Sequence, residues 1–415
     1  MVSRIKYYCL LIFLLFSPAI LSAQIFNDGI LRYRVLDREA ETCEVMGPVA
    51  NQIEGEMIIP EIVVNNSTSY KVISIRDRAF YESSSLISVT LPKSLQTIGN
   101  YAFYHCSSLK DLSIPDSVSS LGYYVFSGTE ISHIYIPESV LMIEIGSFSN
   151  CQNLKAIIVD DKNKRYRSVD GVLYTTQMDT LIQCPATLRE FTVPSYVKVI
   201  GEKAFEGCNT LQTIIFPQEL NNIGNGAFSR CGSLTSITIP EGITNIDCFT
   251  FTGCSSLESV TFPSTLKRIE ADSFTWCRSL KSLVLPESMQ SLVIQAFDGT
   301  DLQSLTILAD HYVGVNWQKD DYPSISQLFV KEHLLEEYKD SFWARYAKEI
   351  LPIPMDEQGG SGVESIAVDR DAPFDIYNLS GMLVRKNAVK TDLSGLTPGV
   401  YILKQGDASQ RIMIR

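Results

Sequence analysis

Four consecutive phrases decide the fold of this chain: VKVIGEKAFEGCNTLQTIIFP at 197–217, LNNIGNGAFSRCGSLTSITIP at 220–240, ITNIDCFTFTGCSSLESVTFP at 243–263 and LKRIEADSFTWCRSLKSLVLP at 266–286. The prolines that end them are spaced 23 residues apart. A fixed period of this length is typical of a solenoid, in which each unit is too small to bury its own apolar face and stacking of neighbours forms the core. The pattern therefore predicts a repeat solenoid.

One repeat shows how its residues are arranged. Leu234, Ile237 and Ile239 are separated by small polar residues, which predicts a short strand with these three side chains pointing inward. The proline that follows ends the strand, since it has no backbone N–H to donate. Ile243 and Ile246 come next and predict a second inward-facing segment on the opposite wall.

The unit I-x-x-I-G-x-x-A-F-x-x-C-x-x-L-x-x-I-x-I-P resembles the leucine-rich repeats of the BspA-like family of bacterial surface proteins, and the resemblance covers roughly residues 25–353. Its phenylalanine recurs at Phe80, Phe103, Phe126, Phe148, Phe205, Phe228, Phe251, Phe274 and Phe297. The resemblance implies a β-rich leucine-rich repeat array without catalytic activity, used for adhesion or recognition. It also implies a protein secreted by, or held on the outer surface of, a Gram-negative bacterium of the Bacteroidota. The implied partner is a host or matrix protein or a glycan.

The N-terminal part of the chain predicts export. Residues 1–23 place Arg4 and Lys6 before a short apolar run and end in small residues, a pattern typical of a secretory signal peptide, with a membrane anchor as the alternative. Residues 24–71 predict an N-terminal β cap, and residues 72–310 the repeats. No stretch of the mature chain is long enough to predict a membrane span.

The C-terminal part predicts a cap, a linker and a separate module. Residues 311–354 predict a cap whose apolar residues have helical spacing. These residues are Leu334, Leu335, Tyr338, Phe342 and Tyr346. The glycine-rich segment 355–362 predicts a flexible linker. Residues 363–415 predict a small all-β sandwich module, and their text DIYNLSGMLV and GVYILK resembles the type IX secretion sorting tails of Bacteroidota.

An insertion interrupts the repeats. Pro137 and Pro194 lie 57 residues apart where one repeat takes 23, which leaves 34 extra residues. Two strand-like runs flank a turn at about 160–185, which predicts a hairpin that projects from the solenoid. Insertions into repeat arrays form loops that often contact partners.

Six cysteines share one repeat position: Cys106, Cys151, Cys208, Cys231, Cys254 and Cys277. The equivalent position of other repeats holds Ser83, Thr129 and Thr300. A position that accepts serine and threonine requires a small side chain, so we expect a structural ladder of buried, reduced thiols. The alternative is a set of disulfides, which exported proteins commonly contain.

The sequence indicates no catalytic chemistry. The four histidines have no metal-ligand spacing, and the phosphate-loop, dinucleotide and nucleophile-elbow motifs are absent, so the sequence predicts no enzyme activity, no metal and no cofactor. The formal net charge of −12 excludes nucleic acid as a natural partner. The alternative function is an accessory component of a secreted glycan-processing or other enzyme system.

The outward positions of the strands predict where a partner binds. Most of these positions hold serine or threonine, which strand propensity on a solvated face explains. The exceptions form a candidate interaction face: Asp111, His133, Tyr135, Ile158, Glu190 and Ile215. Exposed aromatic and aliphatic groups among polar ones are typical of an interaction patch. The alternative is that the inserted hairpin folds back and covers them.

Overall fold

The computed structural model describes residues 24–50, 53–316, 325–353, 372–378, 383–389, 392–393, 399–405 and 408–414. The predicted signal peptide and linker lie outside the described residues. Over the repeats the chain coils into a β-solenoid of about twelve turns, which confirms the fold expected from the 23-residue spacing.

The strands follow in chain order. The N-terminal strands are β1 (Ile25–Asn27), β2 (Leu31–Asp37), β3 (Thr42–Pro48), β4 (Gly55–Ile58), β5 (Ile62–Asn65) and β6 (Thr68–Ile75). The coils before the insertion contain β7 (Leu86–Thr90), β8 (Thr97–Ile98), β9 (Asp111–Leu112), β10 (Ser120–Leu121), β11 (His133–Ile136), β12 (Met142–Ile143) and β13 (Ala156–Val159). The insertion contains β14 (Tyr166–Val169), β15 (Val172–Thr175) and β16 (Thr180–Gln183).

The coils after the insertion contain β17 (Glu190–Thr192), β18 (Val199–Ile200), β19 (Thr213–Ile215), β20 (Asn222–Ile223), β21 (Ser236–Thr238), β22 (Asn245–Ile246), β23 (Ser259–Thr261), β24 (Arg268–Ile269), β25 (Ser282–Leu285), β26 (Ser291–Val293), β27 (Ser304–Ile307) and β28 (Gly314–Asn316). The cap contains β29 (Ile325–Val330), helix α1 (Leu335–Lys339) and β30 (Ala347–Pro352). Short 3-10 helices cover Ile294–Phe297, Glu332–Leu334 and Phe342–Arg345. The C-terminal module contains β31 (Phe374–Asn378), β32 (Leu383–Ala388), β33 (Gly399–Gln405) and β34 (Ala408–Ile414).

Each coil has two walls joined by a turn. The front wall holds the strands of the L-x-x-I-x-I phrases, such as β7, β11 and β25, and the back wall holds the two-residue strands, such as β8, β10 and β24. Neighbouring strands within each wall run parallel, and Ser88 lies opposite Asp111, which is the 23-residue offset expected from the sequence. The phenylalanine turn carries the chain from the back wall to the front wall, and we use this name for it below.

The phenylalanines form the spine of the core. Their rings stack face to face in two columns, from Phe80 to Phe148 and from Phe205 to Phe297, with centroids between 4.9 Å and 6.0 Å apart. All of these side chains are buried. Burying an aromatic ring contributes a large apolar area, so each coil depends on its two neighbours for most of its stability.

The insertion lies inside the solenoid, and the expectation that it projects is wrong. Its strands pair antiparallel, and β16 then pairs parallel with β18, so the insertion joins the back wall. In β15, Val172, Leu173 and Tyr174 are all at most 1% exposed. A strand that is buried on both faces requires consecutive apolar residues, and these three residues follow that pattern.

The insertion divides the core into two parts. Leu173 packs with the buried residues that precede it in the chain, from Leu31 onward. Val172 and Tyr174 pack with those that follow, as far as Ala347. Because successive side chains of a strand point to opposite faces, β15 acts as a partition between an N-terminal and a C-terminal core.

The C-terminal cap is less helical than its spacing predicts. Strand β29 extends the front wall by pairing with β27, β30 pairs with β29, and α1 is one short helix between them. Tyr338 and Tyr346 are buried as expected, but Phe342 is 55% exposed. Trp343 takes the buried position, because Ser341 begins a separate 3-10 turn by accepting a hydrogen bond from the Trp343 N–H. The Trp343 indole then donates to the Val313 carbonyl at 2.9 Å.

The C-terminal module is an antiparallel all-β unit. Its four described strands form a sheet in the order β32-β31-β33-β34. A small core packs within it around Phe374, Ile376 and Leu403. The all-β character expected for this module is therefore present in the described residues.

Candidate functional site

Three of the six predicted face residues lie together on the front wall. His133 and Tyr135 are alternate residues of β11, and Ile158 of β13 lies directly opposite Tyr135 in a parallel register. Tyr135 is 44% exposed and Ile158 is 48% exposed. Directly opposite side chains on one face of a sheet are in contact range. We call the surface of His133, Tyr135 and Ile158 the front patch.

A carboxylate orients the tyrosine of the front patch. The Tyr135 hydroxyl donates a hydrogen bond of 2.5 Å to Oδ2 of Asp160, the residue that follows β13. This hydrogen bond raises the pKa of Tyr135 to about 12, with a smaller contribution from the negative charges of Asp160 and Asp116. The same bond lowers the pKa of Asp160. The patch is therefore an apolar pair with an acidic edge.

The other predicted face residues lie elsewhere on the front wall. Glu190 and Ile215 belong to the pair β17 and β19, and Asp111 to the sheet of β7 and β9. The insertion separates β17 from β13, because it occupies the free edge of β13. There the Ile157 N–H donates to the Gly171 carbonyl at 2.9 Å, and the Val159 N–H to Ser168 Oγ at 2.9 Å.

The insertion leaves the front patch exposed. Its turn reaches the outward face of β13 at Ala156, where a Cβ at Gly171 would lie 2.8 Å from the Cβ of Ala156. Ile158, two residues further along the same strand, stays about half exposed. The structure therefore does not show the covering arrangement that was the alternative at the sequence level.

The six cysteines of the ladder lie in the phenylalanine turns. Five of them point their thiols at the carbonyl oxygen of the phenylalanine in the preceding coil, at 3.0–3.2 Å. Cys208 is the exception, since the coil before it is the insertion, and its thiol lies 3.8 Å from the carbonyls of Cys184 and Pro185. All six cysteines are buried and free. Burial raises the pKa of Cys106 and that of Cys254 to about 12.

Comparison with known proteins agrees with this geometry. A family model described as the BspA type leucine rich repeat region matches residues 65–171 and 175–303 in six copies, which is more than half of the chain. The chain belongs to this family. The family and the fold of this BspA-type protein are those of repeat proteins, which are typically non-enzymatic and commonly bind other proteins. No curated protein matches the chain.

Solved structures similar to this BspA-type protein come from several bacteria. The pneumococcal vaccine antigen PcpA is 17% identical, with 80% of this chain and 99% of that one covered and a TM-score of 0.52. A leucine rich cell surface protein from Faecalibacterium prausnitzii is 25% identical, with 69% and 95% covered and a TM-score of 0.47. A leucine-rich repeat protein from Eubacterium ventriosum is 21% identical, with 72% and 97% covered and a TM-score of 0.49.

The described residues of this BspA-type protein include no helix whose length and apolar character would let it cross a membrane. They also contain no group of three or more histidine, cysteine or acidic side chains placed to hold a metal ion.

The sequence did not predict a polar cavity at the start of the BspA-type array. It has a volume of about 490 Å³ and lies where β2, β3, β6 and β8 meet. Its lining residues are Arg34, Glu44, Ser74, Ile75, Arg76, Asp77, Arg78, Thr97 and Gly99. They come from four separate segments, and only the segment 74–78 contains several of them in succession. The excess of arginine in RDR at 76–78 was the one signal that the sequence offered.

Proposed function

We propose that this protein is a non-catalytic recognition protein of the bacterial cell surface, and that it binds a host or matrix protein through the front patch. The observation that carries the proposal is the contact pair of Tyr135 and Ile158, two large side chains left about half exposed on a wall of serine and threonine. Protein interfaces favour a central aromatic or aliphatic group with a polar rim.

The surroundings of the patch support a protein partner. Asp160 holds the Tyr135 ring in one orientation, so little side-chain entropy is lost when a partner covers it. Asp116 and Asp161 also lie near enough to influence the Tyr135 hydroxyl. A basic rim on the partner would complement these carboxylates and speed association at low salt.

The exterior location is part of the proposal. It is supported by the predicted signal peptide at 1–23 and by the membership of a family of bacterial surface-type repeats. We further propose that residues 363–415 act as a sorting and attachment module of a Gram-negative bacterium. Deleting 363–415 should then move the protein from the cell surface to another fraction, and unchanged surface labelling would contradict the attachment role.

The front patch is tested by a double variant, Tyr135→Ala with Ile158→Ser. Both side chains are exposed, so we expect the melting temperature to change little while binding to host cells or matrix is lost. The matched control is Thr238→Ala with Thr261→Ser, which changes the equivalent contact pair on β21 and β23. Undiminished binding by the first variant would refute the front patch as the binding surface.

A further inference from the structure

The back wall has a break where the insertion enters it. Strand β12 pairs only with β10 among the described strands, and β16 pairs with β15 and β18. At this break lies a cavity of about 100 Å³, lined by residues of the segments 143–148, 182–183 and 201–202. Because one water molecule takes about 30 Å³ of liquid, the cavity has room for a single ion and a few waters. We call it the back-wall cavity.

The break leaves one backbone carbonyl without its usual partner. Elsewhere on the back wall this carbonyl accepts a hydrogen bond of 2.8–3.0 Å from an N–H of the next coil, as in Ile75, Ile98, Leu121, Leu181, Ile200 and Ile246. Ile143 holds the same position in β12. Its N–H donates to the Tyr166 hydroxyl at 2.8 Å, but its carbonyl accepts no hydrogen bond from the described residues. The carbonyl of a strand residue points to the same side as its N–H, so the Ile143 oxygen faces the insertion at the back-wall cavity.

A buried amide supplies a second acceptor. Gln183 is 4% exposed and lines the back-wall cavity. Its Nε2 donates to the carbonyls of Cys184 and Ala204 at 3.3 Å and 3.2 Å, which uses both amide hydrogens and fixes the position of the oxygen. The Oε1 atom accepts no hydrogen bond from the described residues, and it is not among the atoms that are sealed from solvent. A ligand in the cavity can therefore reach it.

Two glutamates add negative charge to the same cavity. Glu144 follows β12, Glu202 lies in the coil after the insertion, and both line the back-wall cavity. A hydrogen bond to Glu144 raises the pKa of Tyr123, and the charge of Glu202 adds to this effect, so the two carboxylates lie near one phenol. No lysine, arginine or histidine is among the lining residues. Like charges close together repel unless a cation lies between them.

We propose that the back-wall cavity binds a calcium ion through four oxygen ligands: the Ile143 carbonyl, the Gln183 amide oxygen and the carboxylates of Glu144 and Glu202. Calcium takes roughly six to eight oxygen ligands from carboxylates, carbonyls, amides and water, in a flexible geometry. Magnesium requires a nearly ideal octahedron and gives up its water reluctantly, so ligands from three separate segments suit calcium better.

The ligand set explains why neither the sequence nor a group of acidic side chains indicates this site. Only two of the four ligands are acidic, which is consistent with the absence of a group of three or more histidine, cysteine or acidic side chains in the described residues. The ion joins the coil before the insertion, the insertion itself and the coil after it. Binding should therefore stabilise the folded array across the break. The inference does not depend on the proposed function.

The test is an isothermal titration of the whole purified protein, freed of metal by a chelator, with calcium chloride at constant ionic strength. We expect one saturable site with a Kd on the order of 10⁻⁴–10⁻³ M, the range of extracellular calcium modules. Magnesium chloride, titrated in the same way, should bind at least tenfold more weakly. Absence of calcium binding at millimolar concentration, or equal binding of magnesium, would overturn the proposal.

Variants connect calcium binding to the cavity. Glu144→Gln and Glu202→Gln should each weaken calcium binding at least tenfold, because each removes a charged ligand. Glu202 is exposed, so Glu202→Gln should change the melting temperature of the metal-free protein little while abolishing the rise that calcium causes in the unaltered protein. The matched control is Glu258→Gln, which changes an exposed glutamate of a later coil. Unchanged calcium affinity in both cavity variants, or an equal loss in the control, would overturn the site.

Discussion

Cys231 and its equivalents show what a single repeat position requires. A thiol fits the narrow space above the preceding phenylalanine turn, and its weak S–H donor reaches the Phe205 carbonyl at 3.2 Å. Thr129 and Thr300 make a different hydrogen bond at this position. Their hydroxyls donate to the phenylalanine carbonyl of their own coil at 2.8 Å and 2.6 Å. The position therefore selects a small side chain with a donor, which accounts for the mixture of cysteine, serine and threonine.

The thiols of the ladder should be unreactive in the folded protein. Only the thiolate reacts, and burial raises the pKa values of five ladder thiols: Cys106, Cys151, Cys231, Cys254 and Cys277. Of the nine cysteines described, eight are buried and Cys248 is partly exposed, so we expect Cys248 to be labelled first and the others only after denaturation. Thiol counting before and after denaturation measures this, with Cys248→Ser as the control. Rapid labelling of several native thiols, or fewer thiols after denaturation without reductant, would contradict a buried and reduced ladder.

The hydrogen bond from Tyr135 to Asp160 makes the front patch sensitive to high pH. The pKa of Tyr135 is raised to about 12, so the folded state favours the neutral ring, and this stabilisation is present below pH 10 and is lost as the pH rises toward 12. Asp160→Asn should lower the pKa of Tyr135 toward the ordinary tyrosine value. An ultraviolet titration, with Tyr135→Phe subtracted to isolate this ring, measures the change. An identical Tyr135 titration in both proteins would show that Asp160 has no such effect.

At the scale of elements, the insertion is a part of the array whose structure does not follow from the 23-residue repeat. Its strands are anchored by Asn163, which is 3% exposed and satisfies all of its hydrogen-bonding capacity. The amide donates to the carbonyls of Pro137 and Val140 and accepts from the N–H groups of Arg165 and Tyr166. One buried asparagine thus fastens the insertion to the coil before it.

A substitution within β15 should show that the insertion supports the core. Leu173→Ala removes a fully buried side chain and should lower the free energy of unfolding by about 2–5 kcal/mol. Val169→Ala on the neighbouring strand is the matched control, because Val169 is 42% exposed and its loss should change stability by less than about 0.5 kcal/mol. Chemical denaturation measures both. Equal small effects would indicate a projecting hairpin rather than a partition.

The sequence predicted the regular elements because their residues repeat. A residue 23 positions away is the spatial neighbour, so the pairing of His133 with Ala156 followed from spacing alone. The insertion does not repeat, so no spacing predicts its neighbours. Its position inside the array depends on which of the two cores the side chains of Leu173 and Val172 enter. The sequence also did not predict which aromatic residue of the cap is buried. A single capping hydrogen bond at Ser341 exposes Phe342 and buries Trp343.

The two candidate sites also differ in how far the sequence predicted them. Tyr135 and Ile158 could be found from the sequence, because departure from serine and threonine is visible in a repeat. The polar cavity could not, since it joins Arg34 of the irregular N-terminal strands to Thr97 of a later coil. Contacts between an aperiodic segment and a repeat have no spacing rule from which to predict them.

At the scale of the whole molecule, the array is continuous along its phenylalanine turns and interrupted along its walls. The phenylalanine turns on either side of the insertion contact each other directly, since the Asn150 N–H donates to the Glu206 carbonyl at 3.0 Å and the Gln152 amide to the Gly207 carbonyl at 2.8 Å. On the walls, the strands of the insertion lie between the two halves. The turns therefore stay in hydrogen-bond contact across the partition while its strands separate the walls, and we call this arrangement a wedge between two cores.

We expect the two cores to respond separately to damage. Phe103 and Phe251 are both fully buried in their columns, one before the insertion and one after it. In a repeat array each coil is stabilised by its neighbours, so Phe103→Leu should reduce amide protection mainly before β15, and Phe251→Leu mainly after it. Hydrogen exchange with mass spectrometry, comparing the two variants, measures this. Uniform loss of protection along the array in both variants would show instead that the wedge couples the halves into one cooperative unit.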